Sequence, residues 1–229
     1  MLMEKERREI VDYGKKVAAA NLTNGTSGNL SIYDPKLGYM AISPSGIPYE
    51  DTKPEDIVIM NLDDEIIEGD RIPSSEHRLH EAVYKSHPEA RAIVHTHSKY
   101  CTVFSCLRRE IQAVHYLIAG LGSSRIPCAD YATYGSEDLA ANVGAVQTSG
   151  KALLLANHGL VAFGGNLAKA FSNAEDAEWM AEIQWRAEAI GKPVILSDEQ
   201  IDEVMTSFKG YGQKPQQKRS DEMIESRFS

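Results

Sequence analysis

The sequence predicts a layered α/β domain, and three observations carry that prediction. Apolar runs that read as strands alternate with stretches of helical period through most of the chain. A group of three short strand-like runs follows the first helix. No internal repeat, low-complexity block or Pro/Gly-rich linker divides the 229 residues ahead of a polar tail. With 42% hydrophobic and 25% charged positions, the length suffices for one substantial core. The expected organisation is one domain over residues 1–209 and a mobile C-terminal tail over 210–229.

Each element has a local reason. From about Glu4 to Leu22, Ile10, Gly14, Val17 and Ala18 recur at helical spacing, and Asn24-Gly25 breaks the helix. Leu30–Tyr33, Tyr39–Ser43 and Ile57–Leu62 read as strands of a small meander, with turn residues such as Asp34-Pro35 and Gly46 between them. Ser74 or Ser75 is placed to cap a helix running to about Ser86, with Pro88 ending it. Ala92–His97 reads as a strand, Tyr100–Leu107 and Ser136–Gln147 as helices, and Ala152–Ala156 as a buried strand running into Asn157-His158-Gly159. Leu167–Ile190 supports one long helix closed by Gly191 and Pro193, and Asp198–Phe208 a shorter one.

Composition narrows the function classes. A formal charge of −9 opposes broad binding to a phosphate backbone, which selects basic stripes, so nucleic acid is not an expected partner. No apolar run approaches the roughly 18–20 residues of a membrane-spanning helix, and the charged stretch Met1–Arg8 is unlike a signal peptide. A cytoplasmic protein without membrane contact is the expectation. Cys101, Cys106 and Cys128 lack a CxxC pair and fit reduced, buried thiols. A phosphorylated ligand would need a local nest of amides and hydroxyls to offset the net negative field.

The chemistry-bearing residues form ordered clusters. In Val94-His95-Thr96-His97 the two histidines lie two apart on a predicted strand, so both imidazoles face one side and can reach one ion. His158 follows a buried strand, where α/β folds gather their sites. Three histidines leave a position for water, substrate or a departing carboxylate, and Glu76, opening a helix after Ser74-Ser75, is the candidate acid. His77 and His80 are read as surface or packing residues, since His77 lies roughly 100° round the helix from Glu76. Thr26-Ser27-Gly28-Asn29 and Ser43-Pro44-Ser45-Gly46 are hydroxyl and glycine turns suited to an anion.

Taken together, Asn24–Asn29, Ser43–Gly46, Ser74-Ser75-Glu76, His95-Thr96-His97 and Asn157-His158-Gly159 resemble the class II aldolase/epimerase family over nearly the whole chain. His115-Tyr116, Ile126–Ala129, Tyr131–Gly135 and Phe208–Gly212 resemble its aldolase branch, in which L-fuculose 1-phosphate is the type of substrate. The resemblance implies a three-layer α/β/α domain with a central mixed, largely antiparallel sheet, and a homotetramer with active sites between subunits. It implies a zinc-dependent aldolase that reversibly cleaves a ketose 1-phosphate to dihydroxyacetone phosphate and an aldehyde. By position, His95, His97 and His158 would hold one Zn²⁺ per subunit, with Glu76 as fourth ligand and base. Gly28, Asn29, Ser45, Gly46, Ser74 and Ser75 would hold the phosphate. Tyr116 would exchange a proton with the aldehyde oxygen, entering with Tyr211 from a neighbouring subunit, and Tyr134 and Phe208 would complete an aromatic shell. The chain departs from the aldolase pattern at Tyr134, where Phe is expected, and at Asn157, where His is expected. The alternatives within the family are an L-ribulose-5-phosphate 4-epimerase, a 5-deoxypentulose-phosphate aldolase and a methylthioribulose-1-phosphate dehydratase. The non-enzyme alternative is a scaffold like the adducin head.

Overall fold

The computed structural model describes residues 1–208 and Gly210. Ten strands and six α-helices follow in the order α1 (Glu4–Ala19), β1 (Asn29–Asp34), β2 (Tyr39–Ile42), β3 (Val58–Met60), β4 (Ile66–Glu68), α2 (His77–Ser86), β5 (Ala92–Thr96), α3 (Lys99–Cys106), β6 (Ile111–Gln112), β7 (Arg125–Ile126), β8 (Cys128–Ala129), α4 (Glu137–Gly144), β9 (Ala152–Leu155), β10 (Gly159–Gly164), α5 (Leu167–Ile190) and α6 (Asp198–Phe208). Eight strands form one sheet in the order β4-β3-β2-β1-β5-β10-β9-β8. Every junction is antiparallel except β8 with β9. The class is the expected one, α/β with a central mixed, mostly antiparallel sheet, and the opening meander is β1 to β4.

Strand periodicity divides the core into two layers. Leu30, Ala41, Val94, Leu154, Leu160 and Ala162 face α1, α3 and α5. Their neighbours Met40, Ile42, Ile93, Leu153, Leu155, Val161 and Phe163 face the opposite way, towards α2 and α4. Continuing that alternation from Ile93 puts His95 on the α2 side. Because β1 and β5 pair antiparallel with Asn29 opposite His95 and Ser31 opposite Ile93, Asn29 and Ser31 share that face. The site is thus built between the sheet and the start of α2.

The structure corrects several local expectations. Residues 159–164 form β10, a fully buried central strand in a stretch to which the sequence reading assigns no element, while the strand expected at Ala152–Ala156 is β9. Helix α2 begins at His77, so Ser74 and Ser75 precede it and Glu76 occupies its cap position. The cause is long-range: the Ser74 N–H donates to the Ser43 carbonyl (3.0 Å) and the Ser45 N–H to the Ile72 carbonyl (3.0 Å), which pins residues 72–74 to the Ser43–Ser45 turn. Cys106 is exposed, whereas Cys101 is buried and Cys128 half-buried, so only Cys101 matches the expectation of a buried thiol. Of the two readings offered for His80, surface or packing, full burial leaves packing. Among the described residues, no helix is long and apolar enough to cross a membrane.

Candidate metal centre and its cavity

Three separate pieces of backbone bring the four predicted ligands together. His95 lies on β5, His97 one residue beyond its end, His158 in the tight turn between β9 and β10, and Glu76 at the cap of α2. The turn carries Asn157 at a φ of 54°, a conformation Asn tolerates better than most residues, and Arg108 Nε donates to Asn157 Oδ1 (2.9 Å). Gly159 then lets β10 run close against β5. A Cβ there would lie 2.3 Å from the Thr96 carbonyl oxygen and 3.0 Å from His97 Cδ2. Any side chain at 159 would therefore push apart the two strands that carry the histidines.

The donor separations fit one ion. His95 Nε2 lies 3.1 Å from His97 Nε2 and 3.1 Å from Glu76 Oε2, and His158 Nε2 lies 3.3 Å from Glu76 Oε1. These match the edge of a tetrahedron, about 3.3 Å, generated by metal–ligand bonds of roughly 2.0–2.1 Å. His95 Nδ1–H donates to the Leu160 carbonyl (2.9 Å), which fixes the tautomer and leaves the Nε2 lone pair aimed at the centre. Glu76 Oε1 is buried without a hydrogen-bond partner, so a cation there would meet an otherwise uncompensated acceptor.

Electrostatics set a carboxylate beside two imidazoles held neutral, with the third, His95, drawn towards it. Burial pushes His97 and His158 down to about 4, with His95 adding to the shift. Burial alone would raise the carboxyl of Glu76, but attraction to His95 and His158 and the hydrogen bond from Asn29 hold it well below the usual range. For His95 burial works downward and is outweighed by Glu76, leaving its pKa raised. The arrangement is one fixed negative charge beside lone pairs, the donor set of a divalent ion.

A cavity of about 390 Å³ opens over this centre. Its walls include Gly28, Asn29, Ser45, Gly46, Ser74 and Ser75, so every residue expected to hold a phosphate faces the same space as Glu76, His97 and His158. Gly28 has a φ of 80°, and a Cβ would come within 2.7 Å of the His95 carbonyl oxygen, which ties the anion-binding turn to the ligand strand. Asn29 has a second engagement that the sequence did not suggest: its carboxamide donates to Glu76 Oε2 (3.0 Å). Tyr134 also lines the cavity, together with Tyr131 and Asn157, which had been noted only as family motif residues. Tyr116 and Phe208 do not line it; their rings lie 6.4 Å apart elsewhere on the chain, and Tyr116 is 46% exposed. Tyr211 lies outside the described residues.

Residues 8–185 match the family model of the class II aldolase and adducin N-terminal domain. The chain belongs to the class II aldolase family. It is 46% identical to a 5-deoxy-D-ribulose 1-phosphate aldolase of Bacillus thuringiensis serovar kurstaki, over 93% of this chain and all of that one. It is 42% identical to the L-fuculose phosphate aldolase of Escherichia coli K12, over 93% of this chain and 98% of that one. Among solved structures, an L-fuculose 1-phosphate aldolase superposes with a TM-score of 0.88 at 41% identity, covering 91% of this chain and 98% of the other. Within the family the enzyme stands with the metal-dependent sugar-phosphate aldolases, which are lyases.

Proposed function

We propose that this aldolase uses Zn²⁺ to cleave a methyl-terminated ketose 1-phosphate reversibly between C3 and C4, releasing dihydroxyacetone phosphate and a short aldehyde. The observation that carries the reading is the four-donor centre opening into a cavity walled by the Ser/Gly turns. L-fuculose 1-phosphate, the substrate type implied by the sequence motifs, and 5-deoxyribulose 1-phosphate differ only beyond the bond that breaks. The first yields a three-carbon aldehyde, the second a two-carbon one. The 46% relative is named for the deoxypentulose and the 42% relative for fuculose phosphate, which supports taking the deoxypentulose as the first substrate to test and L-fuculose 1-phosphate as the second.

His95, His97, His158 and Glu76 would hold the ion, which when bound supplies Lewis-acid polarisation of the substrate's oxygens. The turns at Gly28, Ser45-Gly46 and Ser74-Ser75 would take the phosphate, their amides and hydroxyls offsetting the net negative charge of the chain. Glu76 would carry the proton at C3, leaving the ligand set as substrate enters and regaining basicity as it departs from the cationic centre. Tyr116 would exchange a proton with the aldehyde oxygen from a neighbouring subunit. Support for that comes from its exposure and its position outside its own cavity, beside Phe208 and the exposed Leu117, with His115 packed between it and Trp179. The reading includes a homotetramer with sites between subunits, checked by light scattering on the eluting protein; a monomer with full activity would remove Tyr116 and Tyr211 from the reaction.

The decisive experiment incubates metal-replete enzyme with each of the two ketose 1-phosphates and follows dihydroxyacetone phosphate, with chelated and zinc-restored samples alongside. Chelator-sensitive release, with the higher kcat/KM on the deoxypentulose, is the expected result. No release from zinc-loaded enzyme with either compound would sink the reading in favour of the family's epimerase or dehydratase chemistry.

A further inference from the structure

Beneath Glu76, Asn29 opens a chain of buried polar side chains whose further members, His80, Ser31 and Tyr84, neither the metal nor the phosphate requires. Asn29 Nδ2 contacts Glu76 Oε2 (3.0 Å), Asn29 Oδ1 contacts His80 Nε2 (2.5 Å), His80 Nδ1 contacts Ser31 Oγ (2.6 Å), and Ser31 Oγ contacts the Tyr84 hydroxyl (2.7 Å). His80 and Ser31 are wholly buried, Asn29 is 4% exposed and Tyr84 5%. The chain crosses from β1 to α2, joining the two elements that define the floor of the site.

The direction of every bond follows from the chemistry of its ends. A carboxylate only accepts, so the Asn29 amide must donate to Glu76, which turns Oδ1 towards His80. That oxygen also only accepts, so His80 must carry its proton on Nε2. Burial drives His80 down to about 3, so the ring is neutral and Nδ1 is left with a lone pair. Ser31 therefore donates to Nδ1 and accepts from the Tyr84 hydroxyl. All four donors point one way, from Tyr84 to the carboxylate.

We propose that His80 is a positioning residue for Glu76: by donating from Nε2 it locks the Asn29 carboxamide in the one orientation that presents N–H rather than C=O to the carboxylate. Without that lock, Asn29 can turn over and set Oδ1 against Glu76 Oε2, two acceptors face to face. Glu76 would then lose its outermost fixed hydrogen bond at the step where it leaves the ligand set. The proposal rests on Glu76 being the base.

Two measurements test it. In wild-type enzyme labelled with 15N at its histidine rings, His80 should show the neutral Nε2–H tautomer throughout pH 5–8, a range chosen to lie above about 3; an Nδ1–H tautomer or an imidazolium there would overturn the proposal without any variant having to fold. In the variants, His80→Met should lower kcat for cleavage roughly ten- to hundredfold, with metal content and KM nearly unchanged. His80→Gln, which keeps a donor near Nε2, should recover most of the loss. On an Asn29→Ala background, His80→Met should cost nothing further, because the group it orients is gone. Equal losses on both backgrounds, or wild-type kcat in His80→Met, would reduce His80 to a packing residue. If Glu76→Gln itself turns over normally, the base assignment fails and this inference with it; an inactive Glu76→Gln beside an unimpaired His80→Met sinks the inference alone.

Discussion

Among the described residues, two clusters bring histidine and carboxylate side chains together near the start of α2, and only one of them has the dimensions of a metal centre. Glu76, His95, His97 and His158 form the first; Asp64, His77 and Glu81 form the second. In the first, nitrogen and oxygen donors stand 3.1–3.3 Å apart, with room for an ion between them. In the second, His77 Nε2 lies 2.5 Å from Asp64 Oδ1, a direct hydrogen bond that an ion would have to force open. His77 Nδ1 faces the Ser74 carbonyl at 3.0 Å, so both ring nitrogens are already engaged with neighbouring oxygens. Arg78 already supplies the cation, with Nη2 2.6 Å from Asp64 Oδ2. Adjacent residues of one chain, Glu76 and His77, thus enter different chemistries. Donor spacing, tautomer and the absence of a competing guanidinium separate a metal site from an ion pair, and residue type alone does not.

The largest effect should come from breaking the first cluster. His97→Ala removes one corner of the tetrahedron, and two imidazoles with one carboxylate hold zinc poorly against a chelating buffer. Metal analysis after dialysis should fall from one ion per chain to near zero, with aldolase activity lost. Retained zinc would contradict the ligand assignment.

Next in size is Glu76→Gln. The amide keeps the shape and leaves the Ser/Gly turns intact but cannot take a proton, so turnover should drop about 10²–10⁴-fold. The KM for the sugar phosphate should move little, since the phosphate nest is untouched. Steady-state kinetics separate the two; a loss confined to KM would make Glu76 a binding residue only.

How much of this was legible from sequence differs between the clusters for the same reason. The HxH pair and the His158-Gly159 turn could be recognised because strand periodicity and strand ends are local facts, and the structure brings these three histidines to one place. Strand β10 escaped because Gly159–Gly164 is buried on both faces, so it shows no alternation, and its terminal glycines argue against a strand; they are needed for close packing on β5 and α5. The start of α2 escaped because Ser74 and Ser75 look like caps, while in three dimensions their segment is spent on the Ser43–Ser45 turn. His80 was read as a surface or packing residue; the available signal was its spacing of four from Glu76 on a helix whose neighbouring Leu79 and Val83 face the core. The polar chain through Asn29 and Ser31 depends on pairing between residues some 50 apart, which no local pattern encodes.

The comparison is sharpened by pH on metal-free enzyme. His80 is held down to about 3 and His97 and His158 to about 4, so between pH 6.5 and 4.5 the unfolded chain binds protons at these three positions that the native state refuses. Native stability should therefore fall as pH drops through that window. His95, raised by Glu76, opposes the trend as a single group. Bound zinc should keep the part due to His97 and His158 and remove the opposition from His95, because a liganded imidazole takes up no proton in the native state. Urea midpoints at pH 6.5 and 4.5, with and without zinc, measure it; a flat apo profile would mean that these rings are as basic in the fold as in the unfolded chain.

The smallest effect is expected at the second cluster, and it is the one that tests the distinction most directly. His77→Gln removes the 2.5 Å bond to Asp64, a residue whose carboxyl is held low, against the upward pull of burial, by Arg78 and His77 together. The pair is partly open to solvent, with the Asp64 side chain 38% exposed, and Arg78 remains, so the loss should be on the order of 1 kcal/mol or less. Metal content should stay at one ion per chain and kcat should stay near wild type, although His77 adjoins Glu76 in sequence. A drop of a full equivalent of zinc would show that the second cluster opens to admit an ion, and spacing in the resting structure would no longer separate the two. A loss of turnover at constant zinc would instead mean that the His77 contact with the Ser74 carbonyl helps to hold the phosphate turn, coupling the ion pair to the active site through one backbone oxygen.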